Sequence, residues 1–118
     1  MSIEGQDFIN LADKLLKDKD YNDEPTFRTI ISRVYYGCFL YLIPSLGFSY
    51  RTYLKKDKIG KIHQMVIKTL KDRNYELGTY LESLRRYRNN SDYFPDEDIS
   101  INEVRTSINL AKQIMANV

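Results

Sequence analysis

Apolar residues recur three or four positions apart along most of the chain, the period at which an α-helix buries one face. The first such stretch begins at Ile3 and ends in the charged run KDKDYNDE. The second follows Pro25, which suits the first turn of a helix because the amides there have no partner within the helix. This second stretch has a wide apolar face and extends to about Ile43, where Pro44 is expected to begin a turn. The pattern predicts two helices and makes the second one central.

Three further helical stretches follow in the second half of the chain. One covers Ile59 to Leu70, and the next begins after Asn74, whose side chain can cap it. The last begins at Ser100, which can form a capping box with Glu103, and it runs to about Ala116. The sequence contains no internal repeat and no linker. We therefore predict that residues 1–118 form one domain, an all-α, up-and-down bundle of four to five helices.

Composition narrows the classes of function. The 18 basic and 16 acidic residues give a net charge of +2, too balanced for sequence-independent binding of nucleic acid through bulk charge. Any contact with a polyanion must therefore be local. Cys38 is the single cysteine, so no internal disulfide can form, and a reducing cytoplasm fits best. No stretch approaches the roughly 20 apolar residues of a membrane-spanning helix, and the first residues do not resemble a secretory signal.

Metal and cofactor sites are not predicted. One histidine and one cysteine leave too few ligands for a protein metal site of the common kinds. The glycines stand apart from one another, so no glycine-rich phosphate-binding loop is present. We therefore expect neither a metal nor a cofactor.

Arginines near the end of the fourth helix carry the clearest chemistry. Arg85, Arg88 and Asn89 are three and four positions apart, which places them on one side of a helix. A guanidinium beside an amide suits a phosphate, because its planar fork donates two parallel hydrogen bonds. The same residues also suit an ordinary helix end, with Asn89 or Asn90 as the C-cap and Asp92 paired with Arg88.

The second helix contains Arg33, which could pair with Asp92 or face the same pocket as Arg88. Beside it, Tyr35 and Tyr36 suit either core positions with satisfied hydroxyl groups or a site. His63, near the start of the third helix, has the only side chain whose ordinary pKa lies near neutrality, so it is either a base or a structural residue.

A basic segment precedes the third helix. It runs from Ser49 to Lys61 and contains Lys55 and Lys56 among five basic residues. It is either a solvated run of charge or an extension of an anion-binding surface.

The segments RTIISRVYYGCFLYLIPSLGF, IGKIHQMVIKTL and LRRYRNNSDYF, with a last helix capped from Ser100, together resemble the HEPN family of small helical domains. The resemblance is to a compact bacterial and archaeal branch with Ser-Arg-x-Tyr-Tyr in its second helix and Arg-x-x-(Ala/Ser)-Asp-Tyr in its fourth. It covers the chain from about Phe27 to Met115.

This resemblance implies a symmetric homodimer that places two copies of the site side by side. Many members are metal-independent ribonucleases, toxins or phage-defence components, often encoded beside a minimal nucleotidyltransferase. Their signature is an arginine, a polar residue, about three further residues and a histidine. Arg88 and Asn89 match the first two positions, and Tyr93 stands where the histidine would fall.

The tyrosine changes the chemistry that can be expected. RNA cleavage without a metal needs a group that takes the 2′-hydroxyl proton, an acid for the leaving oxygen and a cation near the phosphorane. Arg88 can be the cation, but tyrosine side chains ordinarily ionise near pH 10 and are poor bases at pH 7. The residues therefore favour binding of a phosphate over cutting beside it.

Two hypotheses of function follow. The first is a HEPN-type RNA- or nucleotide-binding module of a toxin–antitoxin or phage-defence pair, with its site at Arg88, Asn89, Asp92 and Tyr93. In its catalytic variant the same site cleaves RNA weakly or with help from His63. The second hypothesis is a non-catalytic dimerisation or interaction module for a nucleotidyltransferase partner, in which the polar motif fixes an interface.

Overall fold

A computed structural model describes residues 2–51 and 59–118, with the side chains of residues 59 and 60 not described. Five α-helices lie wholly within these ranges, and the ranges contain no β-strand. The predicted all-α bundle is therefore confirmed, with each predicted helix at its expected place. The basic segment falls largely outside the described residues, including Lys55 and Lys56. The helices are α1 (Gly5–Lys17), α2 (Glu24–Ser45), α3 (Ile59–Arg73), α4 (Tyr75–Tyr93) and α5 (Ile101–Asn117), with a 3-10 turn at Lys19–Tyr21.

Side-chain caps begin three of the helices, and two of them are the caps predicted at Asn74 and Ser100. Asp23 accepts a hydrogen bond from the amide of Thr26 at 2.9 Å at the start of α2. Asn74 accepts one from the third residue of α4 at 3.2 Å. At the start of α5 the amide of Ser100 donates to the carboxylate of Glu103 at 2.8 Å, as in a capping box. These bonds satisfy amides that have no partner within the helix.

The end of α2 differs from the prediction. Pro44 lies inside the last turn of the helix, which ends one residue later, and does not begin the turn. Proline has no amide hydrogen, so the carbonyl of Leu40 loses its usual partner. The hydroxyl of Tyr50 donates to that carbonyl at 2.6 Å. The helix continues past the expected boundary because a side chain replaces the missing bond.

Helix α2 is the centre of the bundle, because it packs against α1, α4 and α5, while α3 packs against α4. Its contact with α1 is very close at Gly5 and Gly37, where a Cβ on Gly5 would lie 2.1 Å from the carbonyl oxygen of Gly37. The thiol of Cys38 is fully buried, and burial raises its pKa to about 12. No helix in the described ranges is long and apolar enough to cross a membrane. The fully buried large side chains of the core include Ile9, Ile30, Ile31, Leu42, Ile43, Leu70, Leu81, Leu84 and Ile114.

Candidate functional site

Side chains from α2, α3 and α4 surround a cavity of about 430 Å³, here called the Arg88 cavity. It combines two arginines, an aspartate and the single histidine with three aromatic rings. Five of these residues were predicted for the site, and α2 contributes all three of the others. The lining residues are Ser32, Arg33, Tyr35, Tyr36, Phe39, His63, Arg88 and Asp92.

Arg88 is the charged group at the centre of these contacts. Its side chain is only 14% exposed. The guanidinium carbon lies 4.9 Å from the ring centre of Tyr35 and 5.6 Å from that of Tyr93. One nitrogen, Nη1, donates to the hydroxyl of Tyr93 at 3.1 Å, whereas the buried Nε has no hydrogen-bond partner in the described structure. The aromatic rings therefore hold the guanidinium in place, and part of its hydrogen-bond donor capacity is not used.

Asp92 joins α2 to α4 at the edge of the cavity. Its Oδ2 lies 3.8 Å from Nη1 of Arg88 and accepts a hydrogen bond from Ser32 at 3.2 Å. Of the two arginines considered as partners for this carboxylate, Arg88 is the one within ion-pair distance. Arg33 lines the same cavity and lies 5.8 Å from the ring centre of Tyr36. The carboxylate of Asp92 therefore neutralises part of the charge of Arg88, and Arg33 remains available to a ligand.

Tyr35 and His63 form the buried polar pair of the cavity, with 2.6 Å between the hydroxyl oxygen and Nδ1. Burial raises the pKa of Tyr35 to about 12, although the nearby charges of Arg85 and Arg88 oppose the rise. The phenol therefore keeps its proton. Burial, followed by the same two arginines, lowers the pKa of His63 from 6.5 to about 4. At neutral pH the imidazole is uncharged, and its tautomer decides which of the two groups donates in the bond between them.

This pairing limits what His63 can do as a catalyst. Its Nδ1 is already engaged by the Tyr35 hydroxyl. A base with a pKa about three units below neutrality is also weak at pH 7. Its ring centre lies 4.5 Å from that of Phe39, so the imidazole is packed as well as bonded. The histidine is therefore poorly suited to proton abstraction at neutral pH.

The remaining predicted residues lie around this cavity. Arg85 lines a different cavity between α3 and α4. Asn89 is half-buried and lines neither of these two cavities. Tyr93 is 64% exposed and lines a neighbouring groove that shares Arg33 and Asp92 with the Arg88 cavity. Arg88 and Tyr93 therefore lie on two adjoining surfaces, the Arg88 cavity and this groove.

The alternative in which Asn89 or Asn90 caps α4 is wrong. The helix continues to Tyr93, and the amide of Phe94 bonds the carbonyl of Asn90 at 3.3 Å. Arg28 stabilises this end of α4, because its guanidinium bonds carbonyl oxygens of the last helical turn and of the residues that follow it. It donates to the carbonyls of Asn90, Ser91, Phe94, Pro95 and Glu97.

Arg28 positions the motif helix, and the sequence analysis did not identify it. It also bonds Glu24 at 2.8 Å, and this bond, with a second from the amide of Ile99, lowers the pKa of Glu24. The sequence pattern that involves Arg28 is its spacing of four residues from Glu24 on one helix. That spacing indicates a surface ion pair and says nothing about contacts more than 60 residues away.

Among the described residues, no group of three histidine, cysteine, aspartate or glutamate side chains is placed to hold a metal ion. In comparison with known proteins, the chain matches no family model, no curated protein and no solved structure. The resemblance to HEPN domains therefore stays a prediction that rests on the motif residues.

Proposed function

We propose that the chain is a HEPN-type module that binds RNA or a nucleotide through the Arg88 cavity. The observation that carries this proposal is the state of Arg88: a guanidinium that is 14% exposed, held over two tyrosine rings, with a buried Nε that lacks a partner. Buried donors are nearly always paired in folded proteins. An unpaired cationic donor beside a cavity is well suited to a phosphate oxygen.

The aromatic rings support a nucleic-acid ligand over a simple anion. Tyr36 is 44% exposed and Tyr93 is 64% exposed, and both lie near an arginine. Exposed rings beside cations can stack nucleobases while the cations contact the phosphates. A cavity of this size also has room for more than a bare phosphate.

Binding is better supported than cleavage. The neutral, hydrogen-bonded His63 is a weak base, and the hydroxyl of Tyr93 already accepts from Arg88. A weak metal-independent ribonuclease activity remains the catalytic variant of the proposal, with Arg88 stabilising charge and Tyr93 donating a proton. From the single cysteine we place the module in the cytoplasm. By resemblance alone we infer a homodimer in a toxin–antitoxin or phage-defence pair with a minimal nucleotidyltransferase.

One observation favours the second candidate, a non-catalytic dimerisation or interaction module. Tyr36, Tyr93 and Phe94 leave 44%, 64% and 49% of their surface exposed. Exposed aromatic side chains are common at the centres of protein interfaces. Under this alternative the cavity is completed by another protein surface and has no affinity for nucleic acid.

RNA binding in low salt distinguishes the two candidates, because phosphate contacts are strongest there. With a fluorescent single-stranded RNA, we expect Arg88→Ala to weaken binding about tenfold or more, since hydrogen bonds to charged groups contribute about 1.5–3 kcal/mol. Arg86→Ala is the matched control, because Arg86 is exposed on the same helix and bonds only Ser83 among the described residues. The assembly state of each variant is measured by sedimentation.

The proposal fails if the wild-type protein binds no RNA at low ionic strength. Loss of a dimer in Arg88→Ala, without any RNA phenotype, would instead support the interaction module. Tyr93→His tests the catalytic variant in the same assay with a chelator present. Restoring the histidine of the motif should raise RNA cleavage above that of the wild type, and unchanged cleavage would count against a catalytic site.

A further inference from the structure

A second cavity of about 460 Å³ lies between α3 and α4, here called the Arg85 cavity. Its charged lining consists of three basic side chains and one acidic side chain, so it has a local excess of positive charge. The chain as a whole is nearly balanced, which makes such an excess informative. The lining residues are Gln64, Ile67, Lys68, Lys71, Glu82 and Arg85.

Arg85 connects this cavity to the Arg88 cavity. It lies three residues before Arg88 on α4, which corresponds to about 4.5 Å along the helix axis. Its charge reaches the first cavity, where burial raises the pKa of Tyr35 against the effect of Arg85, and burial together with Arg85 lowers the pKa of His63. Its buried Nε has no hydrogen-bond partner, and no salt bridge to it occurs within the described residues. Arg85 and Arg88 therefore lie side by side on α4, each at its own cavity and each with an Nε that has no hydrogen-bond partner in the described structure.

The lysines of the Arg85 cavity are also available to a ligand. Lys68 is exposed and makes no hydrogen bond or salt bridge within the described part of the chain. Lys71 pairs with Glu82 at 3.0 Å, and the two side chains are 27% and 54% exposed. Exposed ion pairs of this kind are weak, so a phosphodiester, which carries one negative charge like a carboxylate, can compete for the lysine.

We infer that the Arg85 cavity binds a second phosphate of the strand whose first phosphate is bound at Arg88. The ligand of the protein is then an oligonucleotide with at least two phosphates, and a mononucleotide fills only half of the site. This inference rests on the proposed function. It adds Lys68 and Lys71 as residues that determine the length of the ligand.

Affinity as a function of ligand length tests the inference. The probes are uridine 5′-monophosphate and 5′-phosphorylated oligouridylates of two and four nucleotides, measured by calorimetry at low salt. Because the second contact is intramolecular once the first has formed, we expect the oligouridylates to bind about tenfold tighter than the mononucleotide. The double variant Lys68→Ala/Lys71→Ala should lose most of this gain and keep its affinity for the mononucleotide.

The salt dependence provides a second readout. Removing one phosphate contact to a single strand should reduce the slope of log K against log salt by about 0.7. We expect this reduction in the double variant with the four-nucleotide probe. The control, Lys14→Ala/Lys112→Ala, removes the same charge from α1 and α5 and also breaks an ion pair, that of Lys112 with Asp13 at 2.9 Å. It should leave the gain with length unchanged.

Removing the competing carboxylate should strengthen binding. Glu82→Gln releases Lys71, so we expect the four-nucleotide probe to bind about two- to threefold tighter, the size of a weak surface ion pair. Asp13→Asn releases Lys112 in the same way, outside the cavity, and should have no effect.

Failure of this inference can be told from failure of the proposed function. Equal affinity for all three probes, or a gain with length that survives the lysine double variant, overturns the second subsite alone if Arg88→Ala still weakens mononucleotide binding. Absence of binding by every probe overturns both.

Discussion

Arg28 and Arg88 are both largely buried near the end of α4, with 18% and 14% of their side chains exposed, but their donors are used very differently. Arg28 donates to five backbone carbonyls and to Glu24. Arg88 donates to one hydroxyl, lies 3.8 Å from the carboxylate of Asp92, faces two aromatic rings and leaves its Nε without a partner in the described structure. A saturated guanidinium stabilises the fold, whereas an unsaturated one beside a cavity can bind a ligand.

Replacing each arginine by alanine tests this difference most directly. We expect Arg28→Ala to lower the free energy of unfolding by about 2–3 kcal/mol, because several carbonyls at the end of α4 lose their donor at once. Arg88→Ala should cost about 1 kcal/mol or less, since few of its bonds are lost. Urea denaturation measures both, with the exposed Arg105→Ala as the control. Equal losses for the two variants would make Arg88 a structural residue.

A smaller effect on the free energy of unfolding is expected from a change of pH, which acts through His63 on the other side of the cavity. The folded-state pKa of His63 lies below its unfolded value, so the stabilisation is complete above about pH 6.5 and is lost as the pH falls towards 4. The full shift corresponds to about 3 kcal/mol, and solvent screening of this half-buried ring reduces the expected loss to about 1–2 kcal/mol. Urea denaturation between pH 6.5 and about 5 avoids most carboxylate titration.

The single histidine makes the underlying pKa measurable without assignment. An NMR titration of the imidazole should have its midpoint well below 6.5. Arg88→Ala should raise that midpoint, because one of the two nearby positive charges that disfavour the protonated ring is gone. His63→Gln should flatten the stability profile over the same pH window. A midpoint near 6.5 in the wild type would show that the ring is not buried with Tyr35.

The smallest effect concerns the hydroxyl of Tyr35. Tyr35→Phe leaves Nδ1 of His63 without its hydrogen-bond partner and should cost about 1 kcal/mol of stability in thermal or urea unfolding. Tyr80→Phe is the matched control, because the Tyr80 hydroxyl bonds Glu76 at the surface. It should cause no measurable loss. If the two variants behave alike, the Tyr35–His63 bond does not hold α2 and α3 together.

Helix positions could be predicted from the sequence because the information is local. The apolar period, the caps at Asp23, Asn74 and Ser100, and the proline in the first turn of α2 all act within one or two helical turns. The error at Pro44 arose because the bond that compensates for it comes from Tyr50, beyond the helix. The early C-cap at Asn89 or Asn90 failed for the same reason, since Arg28 lies on another helix.

The sequence by itself determined an all-helical bundle and a short set of polar residues that could contact a phosphate. Tertiary structure alone decided which of them meet: Tyr35 bonds His63 across 28 residues, and Ser32 reaches Asp92 across 60. It also separated Arg85 from Arg88 into two cavities and satisfied Arg28 while leaving Arg88 unsatisfied. Helical periodicity reports neighbours three or four positions apart, whereas burial and donor satisfaction depend on side chains that only packing brings together.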